Sequence, residues 1–172
     1  MSQCPTVTIL IGLPGSGKTT YLDRELPTHL RDCCFDNFHE CSLDNTGTFI
    51  RSRSYEKLKV LLRDGMNCLI SDIEYCRTER LLDAEENLRA LAQELGIGIR
   101  IVRRHFENDP NACRHNIVHR YSQDSRRDYI QELKKVDELS RVYECPSEGA
   151  VPVKTCCHIH PSPSFRPLAQ SE

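Results

Sequence analysis

The sequence predicts an α/β fold of three layers, a central parallel sheet with helices on both faces. Two observations predict it. Short apolar runs alternate along the chain with longer stretches of helical periodicity, the order that builds parallel sheets through crossover helices. Three of the runs also end at residues able to do chemistry: a Gly-rich loop, Asp36 and Asp72. The carboxyl ends of parallel strands are where such sheets hold ligands.

Taken in order, residues 7–11 read as a short buried strand, followed by a loop at 12–17. A helix is expected over about 18–26, stopped by Pro27. "CCFDNF" (33–38) reads as a second strand ending at Asp36, and 42–52 as a turn-rich, mobile segment. Leu58, Leu61 and Leu62 recur at helical spacing before Gly65, which caps that helix. "NCLISD" (67–72) is a strand ending in an acid. Thr78 reads as the N-cap of a helix carrying Leu81, Leu82, Leu88, Leu91 and Leu95, with Gly96 at its end. Residues 97–106 form the next strand, and 109–143 give two helices around a polar joint near Ser122 to Asp124. "AVPV" (150–153) is a candidate last strand. Residues 1–153 are expected to form one domain and 154–172 a flexible tail.

The 172 residues suit a single core, and a net charge of −2 excludes a uniformly basic surface for nucleic acid. No apolar run approaches the roughly 20 residues of a membrane span. "MSQCPTVTIL" has no basic n-region, so a cytoplasmic location is expected. Ten Cys without framework spacing are then mostly buried, reduced thiols. Cys113, His115 and His119, like Cys156, Cys157, His158 and His160, lack a second ligand pair at zinc-finger spacing. They read as helix and tail.

The loop carries the most specific signal. Gly12-Leu13-Pro14-Gly15-Ser16-Gly17-Lys18-Thr19, with Thr20 behind it, matches G-x-x-x-x-G-K-[ST] between an apolar strand and a helix. Glycines let backbone N–H groups converge on a β-phosphate, and the helix N-terminus adds its positive end. Lys18 is placed to reach the β- and γ-phosphates, and the Thr19 hydroxyl to ligate Mg²⁺. ATP and Mg²⁺ are the expected cofactors. The fold class sharpens to a P-loop NTPase or kinase fold with a helical lid.

Transfer to a hydroxyl requires a base, and Asp36, closing an apolar strand, is the candidate; it is expected to be fixed and partly shielded. Asp72 stands where a Walker B acid would, to bind Mg²⁺ through water, orient a substrate-binding group or merely cap the next turn. Between Arg100 and Arg127 seven Arg face three acids. This basic stretch, with the lid at about 109–128, offers Arg120, Arg126 and Arg127 to the transferring phosphoryl group or the substrate.

Four stretches, "GLPGSGKTTY", "FDNFH", "LISDIEYCRTERL" and "RHFENDPNACRHNIVHR", resemble the kinase domain of the 5′-polynucleotide kinase family, a branch of the small P-loop kinases. They span most of residues 5–128. The resemblance implies transfer of the ATP γ-phosphate to a 5′-hydroxyl. Lys18 and Thr19 would hold phosphates and Mg²⁺, Asp36 would be the general base, and Asp72 would orient a substrate-contacting group. One of Arg120, Arg126 or Arg127 would be the lid arginine. The sequence departs from the family at His39. There the polynucleotide kinases place an Arg that grips the acceptor's phosphate with a permanent, bidentate charge. A nucleoside or other small hydroxyl compound is therefore the rival acceptor. A nucleotide switch or hydrolase is the reading from another class, although no N-K-x-D guanine motif is present. A third reading is a binding module whose loop holds nucleotide without turnover.

Overall fold

The computed structural model describes residues 4–25, 33–43, 48–123 and 128–156. They form an α/β fold around a four-stranded parallel sheet, with strands β1 (Thr6–Ile11), β2 (Cys34–Asp36), β5 (Cys68–Ser71) and β6 (Arg100–His105) in the order β2-β5-β1-β6. The helices are α1 (Lys18–Glu25), α2 (Arg53–Arg63), α3 (Thr78–Leu95), α4 (Pro110–Gln123) and α5 (Tyr129–Ser140). Among the described residues no helix is long and apolar enough to cross a membrane.

Alternation along β1 separates the two faces of the sheet. Val7, Ile9 and Ile11 point into the larger core, with Cys68 and Ile70 of β5, Leu58 and Leu62 of α2, and Leu81, Leu88 and Leu91 of α3. Leu10 points the other way, against Leu22 of α1 and Phe106. Helices thus cover both faces, and β1 and β5 read as nearly continuous apolar runs, as interior parallel strands do. Tyr143, just past α5, braces the end of this sheet. Its buried hydroxyl reaches the Phe106 carbonyl at 2.7 Å and the Ile11 carbonyl at 3.2 Å.

The structure differs from the sequence expectation in several places. In the 42–52 segment residues 44–47 lie outside the described residues, and β3 (Cys41–Leu43) pairs with β4 (Phe49–Arg51) as an antiparallel ribbon. Ser52 closes it: its N–H donates to the Glu40 carbonyl at 3.0 Å and its hydroxyl to that of His39. The same hydroxyl caps α2 by accepting from Tyr55 N–H at 3.0 Å. Thr78 is not a cap. A 3-10 turn, Ile73–Cys76, runs directly into α3, so Arg77 takes the N-cap position without a side-chain bond. "AVPV" makes a single parallel bridge, Phe106 with Val151. Of the nine described cysteines, all free, four are buried. Residues 26 and 27, and the tail from 157 on, lie outside the described residues.

On β6, an edge strand, Arg103 reaches α3. Its Nε donates to Glu85 Oε1 at 2.5 Å, and Arg89 Nη2 donates to Glu85 Oε2 at 2.9 Å. Arg103, and after it Arg89, hold this buried carboxyl below the usual glutamate range, against the opposing pull of burial. A depressed folded pKa stabilises the fold above the unfolded carboxyl's value of about 4.3, and the gain is lost as pH falls through the folded pKa. Glu85→Gln is therefore expected to lower stability at pH 7, and the deficit to shrink as pH drops below about 4. Urea unfolding of both proteins across that window measures it; a deficit independent of pH would contradict the ion-pair account.

Candidate functional site

The register of the sheet assembles the site. Leu10 pairs with Ser71, and Ser71 with Asp36. Three strand ends are therefore level, and the loop after β1 emerges beside Asp36 and Asp72. The side chains then part. Asp36 lies on the α1 side of the sheet, where Thr19 Oγ1 donates to its Oδ2 at 3.0 Å. Asp72, one residue beyond the level of Asp36, lies on the opposite side.

The loop at 12–19 is held open by backbone conformations that favour glycine. Gly15 and Gly17 have φ of 77° and 95°. A Cβ at Gly15 would stand 2.5 Å from the Cys113 carbonyl oxygen, whereas one at Gly17 would meet nothing within 4 Å. The hollow side of the loop is thus at Gly17, and the packed side rests on α4. Ser16 is 2% exposed, and its hydroxyl has no hydrogen-bond partner among the described residues. An orphaned hydroxyl beside an open, glycine-lined turn fits an anion with several acceptor oxygens. Lys18 is buried too. Its Nζ donates to the Gly12 and Leu13 carbonyls at 2.6 and 3.0 Å, leaving one of three N–H groups for a further partner. Burial pushes its ammonium below the ordinary lysine range, opposed by the nearby carboxylates Asp36 and Asp72.

Asp36 is exposed rather than partly shielded; among the described residues β2 is a three-residue edge strand of the sheet. Its orientation is nevertheless fixed by Thr19 and by Asn37, whose N–H donates to Asp36 Oδ1 at 3.2 Å from a left-handed φ of 53°. Asp72 is 5% exposed and caps the 3-10 turn, its Oδ1 accepting from Glu74 N–H at 2.7 Å. Burial raises its carboxyl above the ordinary value, with the Glu74 bond and His39 working the other way. His39 is exposed; its Nδ1 lies 3.7 Å from Asp72 Oδ2, close enough for charge attraction when protonated but too long for a hydrogen bond.

Of the three candidate lid arginines, only Arg120 lies among the described residues. Arg120 pairs with Glu132 across α4 and α5, and Arg114 Nε donates to Asp137 at 3.0 Å. These pairs join the two helices and do not point at the loop. Arg126 and Arg127 lie outside the described residues. The first half of α4 is anchored in the core through Ala112, Cys113 and Ile117. In the cysteine and histidine cluster, Cys113 faces this core, its thiol pushed up to about 12 by burial, while His115 and His119 face outward.

One residue that the sequence did not single out is Asn116. From α4 its Nδ2 donates to the Gly15 carbonyl and to the Lys154 carbonyl, both at 2.9 Å. Its Oδ1 accepts from Cys156 N–H at 3.0 Å. Residues 154–156 are therefore docked on α4 beside the loop rather than departing as tail. A lone Asn in a helix gives no pattern by which this could have been read.

A second feature that the sequence left unread is a cleft of about 390 Å³ on the Asp72 side of the sheet, lined by the 38–40 segment, Asp72, Tyr75 and one face of α3. No protein-family model matches the chain, and no curated protein is significantly similar to it.

Gly15→Ala places a Cβ against backbone that cannot yield locally. It should cost more than about 1 kcal/mol of stability and loosen the seat of the loop on α4. Gly17→Ala, strained but unobstructed, should cost less. Thermal unfolding of both variants tests the order, and equal costs would remove the packing of the loop on α4 as its cause.

Proposed function

We propose that the chain is an ATP-dependent phosphotransferase acting on a hydroxyl acceptor, with a three-layer P-loop kinase fold. The observation that carries this reading is the 3.0 Å contact between Thr19 and Asp36. It joins the first turn of the helix behind a phosphate-type loop to a carboxylate at a strand end.

In this reading the backbone N–H groups of Gly15, Gly17, Lys18 and Thr19, the Ser16 hydroxyl and the third N–H of Lys18 would hold the phosphates, and Thr19 would ligate the metal. ATP and Mg²⁺ supply the γ-phosphoryl group and the neutralisation of its charge. Asp36, an exposed carboxylate in contact with Thr19, accepts the proton of the acceptor hydroxyl. It does so as the hydroxyl oxygen bonds phosphorus and the bridging oxygen of the departing ADP keeps the electron pair of the broken bond. Its exposure suits this role, since a proton taken there passes readily to solvent. Arg126 or Arg127 remains the candidate lid arginine, and Arg120 would serve only on release from Glu132.

The resemblance to 5′-polynucleotide kinases makes a 5′-OH end the first acceptor to test. A small hydroxyl compound is favoured by a specific observation: in the cleft beside Asp72 four carboxylates stand against Arg80 and His39. Both readings share the same base.

Asp36→Asn should therefore abolish transfer, by about 10²–10⁴-fold in kcat, while ATP affinity stays nearly unchanged. Lys18→Met should weaken both binding and turnover. Turnover is measured with [γ-³²P]ATP against 5′-OH oligonucleotides and a small-hydroxyl panel, and binding by calorimetry. Full activity in Asp36→Asn would overturn the base assignment. Hydrolysis without any acceptor, unaffected by acceptor addition, would turn the reading toward a switch or hydrolase.

A further inference from the structure

A loop that offers N–H groups to an anion has to turn its carbonyls elsewhere, because a carbonyl oxygen facing the anion repels it. Glycine makes this hard to guarantee. Gly15 and Gly17 stand at φ of 77° and 95°, and a residue without Cβ lets the neighbouring peptide units rotate at little steric cost. The peptide between Gly15 and Ser16 is clamped at both ends. Its N–H donates to the Leu13 carbonyl at 3.1 Å, and its C=O accepts from Asn116 Nδ2 at 2.9 Å. The two groups point in opposite directions across a planar unit, so turning that peptide over breaks both bonds. The first bond is internal to the loop. The second comes from α4.

Asn116 works as a clamp because it is itself held. It is nearly buried, and its Nδ2 also donates to the Lys154 carbonyl at 2.9 Å while its Oδ1 accepts from Cys156 N–H at 3.0 Å. A carbonyl and an N–H two residues apart thus grip both edges of one amide, and only this orientation of the amide matches each donor with an acceptor. Without the backbone of 154–156, one N–H and the Oδ1 would lose their partners, and the side chain would lose what fixes it on Gly15. The segment is anchored in turn. Val151 N–H donates to the His105 carbonyl at 2.8 Å, Glu107 N–H to the Val151 carbonyl at 2.9 Å, and Phe106 N–H to the Ile11 carbonyl at 2.8 Å. A connected path runs from the end of β1 through Phe106 and residues 151–156 to Asn116, and back to the loop at Gly15. It brackets the turn that the chain makes between Ile11 and Gly15.

We infer that Asn116 is a positioning residue for the phosphate loop, and that residues 154–156 belong to the phosphate site as the support that holds Asn116 on Gly15. Both act through Gly15 rather than on the ligand. They keep the Gly15 carbonyl turned toward α4, so that the N–H groups of Gly17, Lys18 and Thr19 follow from a fixed peptide plane. Backbone held in this way needs no reordering when an anion enters. Linkage makes the effect reciprocal: a phosphate ligand that binds the clamped loop also holds 154–156 on α4. The inference rests on the phosphotransferase reading above only in taking the ligand to be a nucleotide.

Variants of the full chain test it. Asn116→Asp keeps the size of the side chain and an acceptor for Cys156 N–H, but offers no donor to Gly15 or Lys154. Cys156→Pro removes the N–H that Asn116 holds, and Cys156→Ala, which keeps it, is the control. Hydrogen exchange of the 12–19 amides, followed by mass spectrometry on the unliganded protein, reads the clamp. Calorimetric titration with ADP and Mg²⁺ reads the site. All are measured well below the melting temperature of each variant. In Asn116→Asp and in Cys156→Pro, exchange in 12–19 should rise and ADP affinity should fall, each about tenfold, with Cys156→Ala like the parent. The double variant should bind no more weakly than Asn116→Asp alone, because both substitutions release one clamp. Cys156→Pro decides alone if Asn116→Asp does not fold. Variants that melt earlier yet exchange and bind as the parent does would show a merely structural residue and overturn the inference. Additive losses in the double variant would overturn the part given to 154–156. Faster loop exchange in both variants, with no ADP binding by the parent, would support the clamp and overturn the phosphotransferase reading.

Discussion

The register of three parallel strands is the constraint on which the rest depends. Val7 pairs with Cys68, Leu10 with Ser71, and Asp36 with Ser71. Since successive side chains alternate between faces, a slip of one residue would turn Val7, Ile9 and Ile11 out of the larger core and move Asp36 away from Thr19. The apolar burial that fixes the sheet thus also fixes which acid meets the loop. The same parity sends Asp36 and Asp72 to opposite faces, although both follow strands whose ends are level. One sheet edge in this way serves two compartments, a loop with a contacting acid on the α1 side and a cleft on the α3 side. Lys18 feels both carboxylates.

A second layer of contacts holds the loop to the helices rather than to the sheet alone. Asn116 binds the Gly15 carbonyl and secures 154–156. Tyr143 closes on the carbonyls at the ends of β1 and β6. A salt-linked group of Glu74, Arg77, Lys135 and Glu138 fastens the turn after Asp72 to α5. Each of these uses a side chain from the last third of the chain to immobilise backbone near the strand ends. Backbone placed within a few tenths of an ångström is what a site made largely of N–H groups requires.

How far the sequence foretold this follows from the range of each interaction. The strands, α2, α3 and the loop were legible because the signals are local: apolar runs, leucines at helical spacing, glycines before a lysine. Asp36 and Asp72 were legible as strand ends. What escaped was set by contacts across long separations. The ribbon strands, 41–43 and 49–51, are too short to alternate visibly, and Ser52 ties them back to the 39–40 backbone. Asn116 is a single polar residue in ordinary surroundings, and its meaning comes from neighbours elsewhere in the fold. Thr78 looked like a cap because nothing local announced the 3-10 turn before it.

Charge was the least legible quantity of all. Counting along the chain finds a basic stretch at 100–127, but Arg103, Arg114 and Arg120 each turn to an acid from another element: Glu85, Asp137 and Glu132. Arg80, outside that stretch, makes no ion pair among the described residues and faces the cleft. A segment's net charge therefore says little about the field at a site, because the fold neutralises cations in pairs before a ligand meets them. Polyanion binding rests on unpaired cations that release counterions from phosphates. Around the cleft the permanent cation is Arg80, set against four carboxylates of which Glu74 is paired with Arg77 and Lys135. That balance decides what charge a ligand of the cleft could carry. It follows from pairing geometry that the sequence, read residue by residue, does not contain.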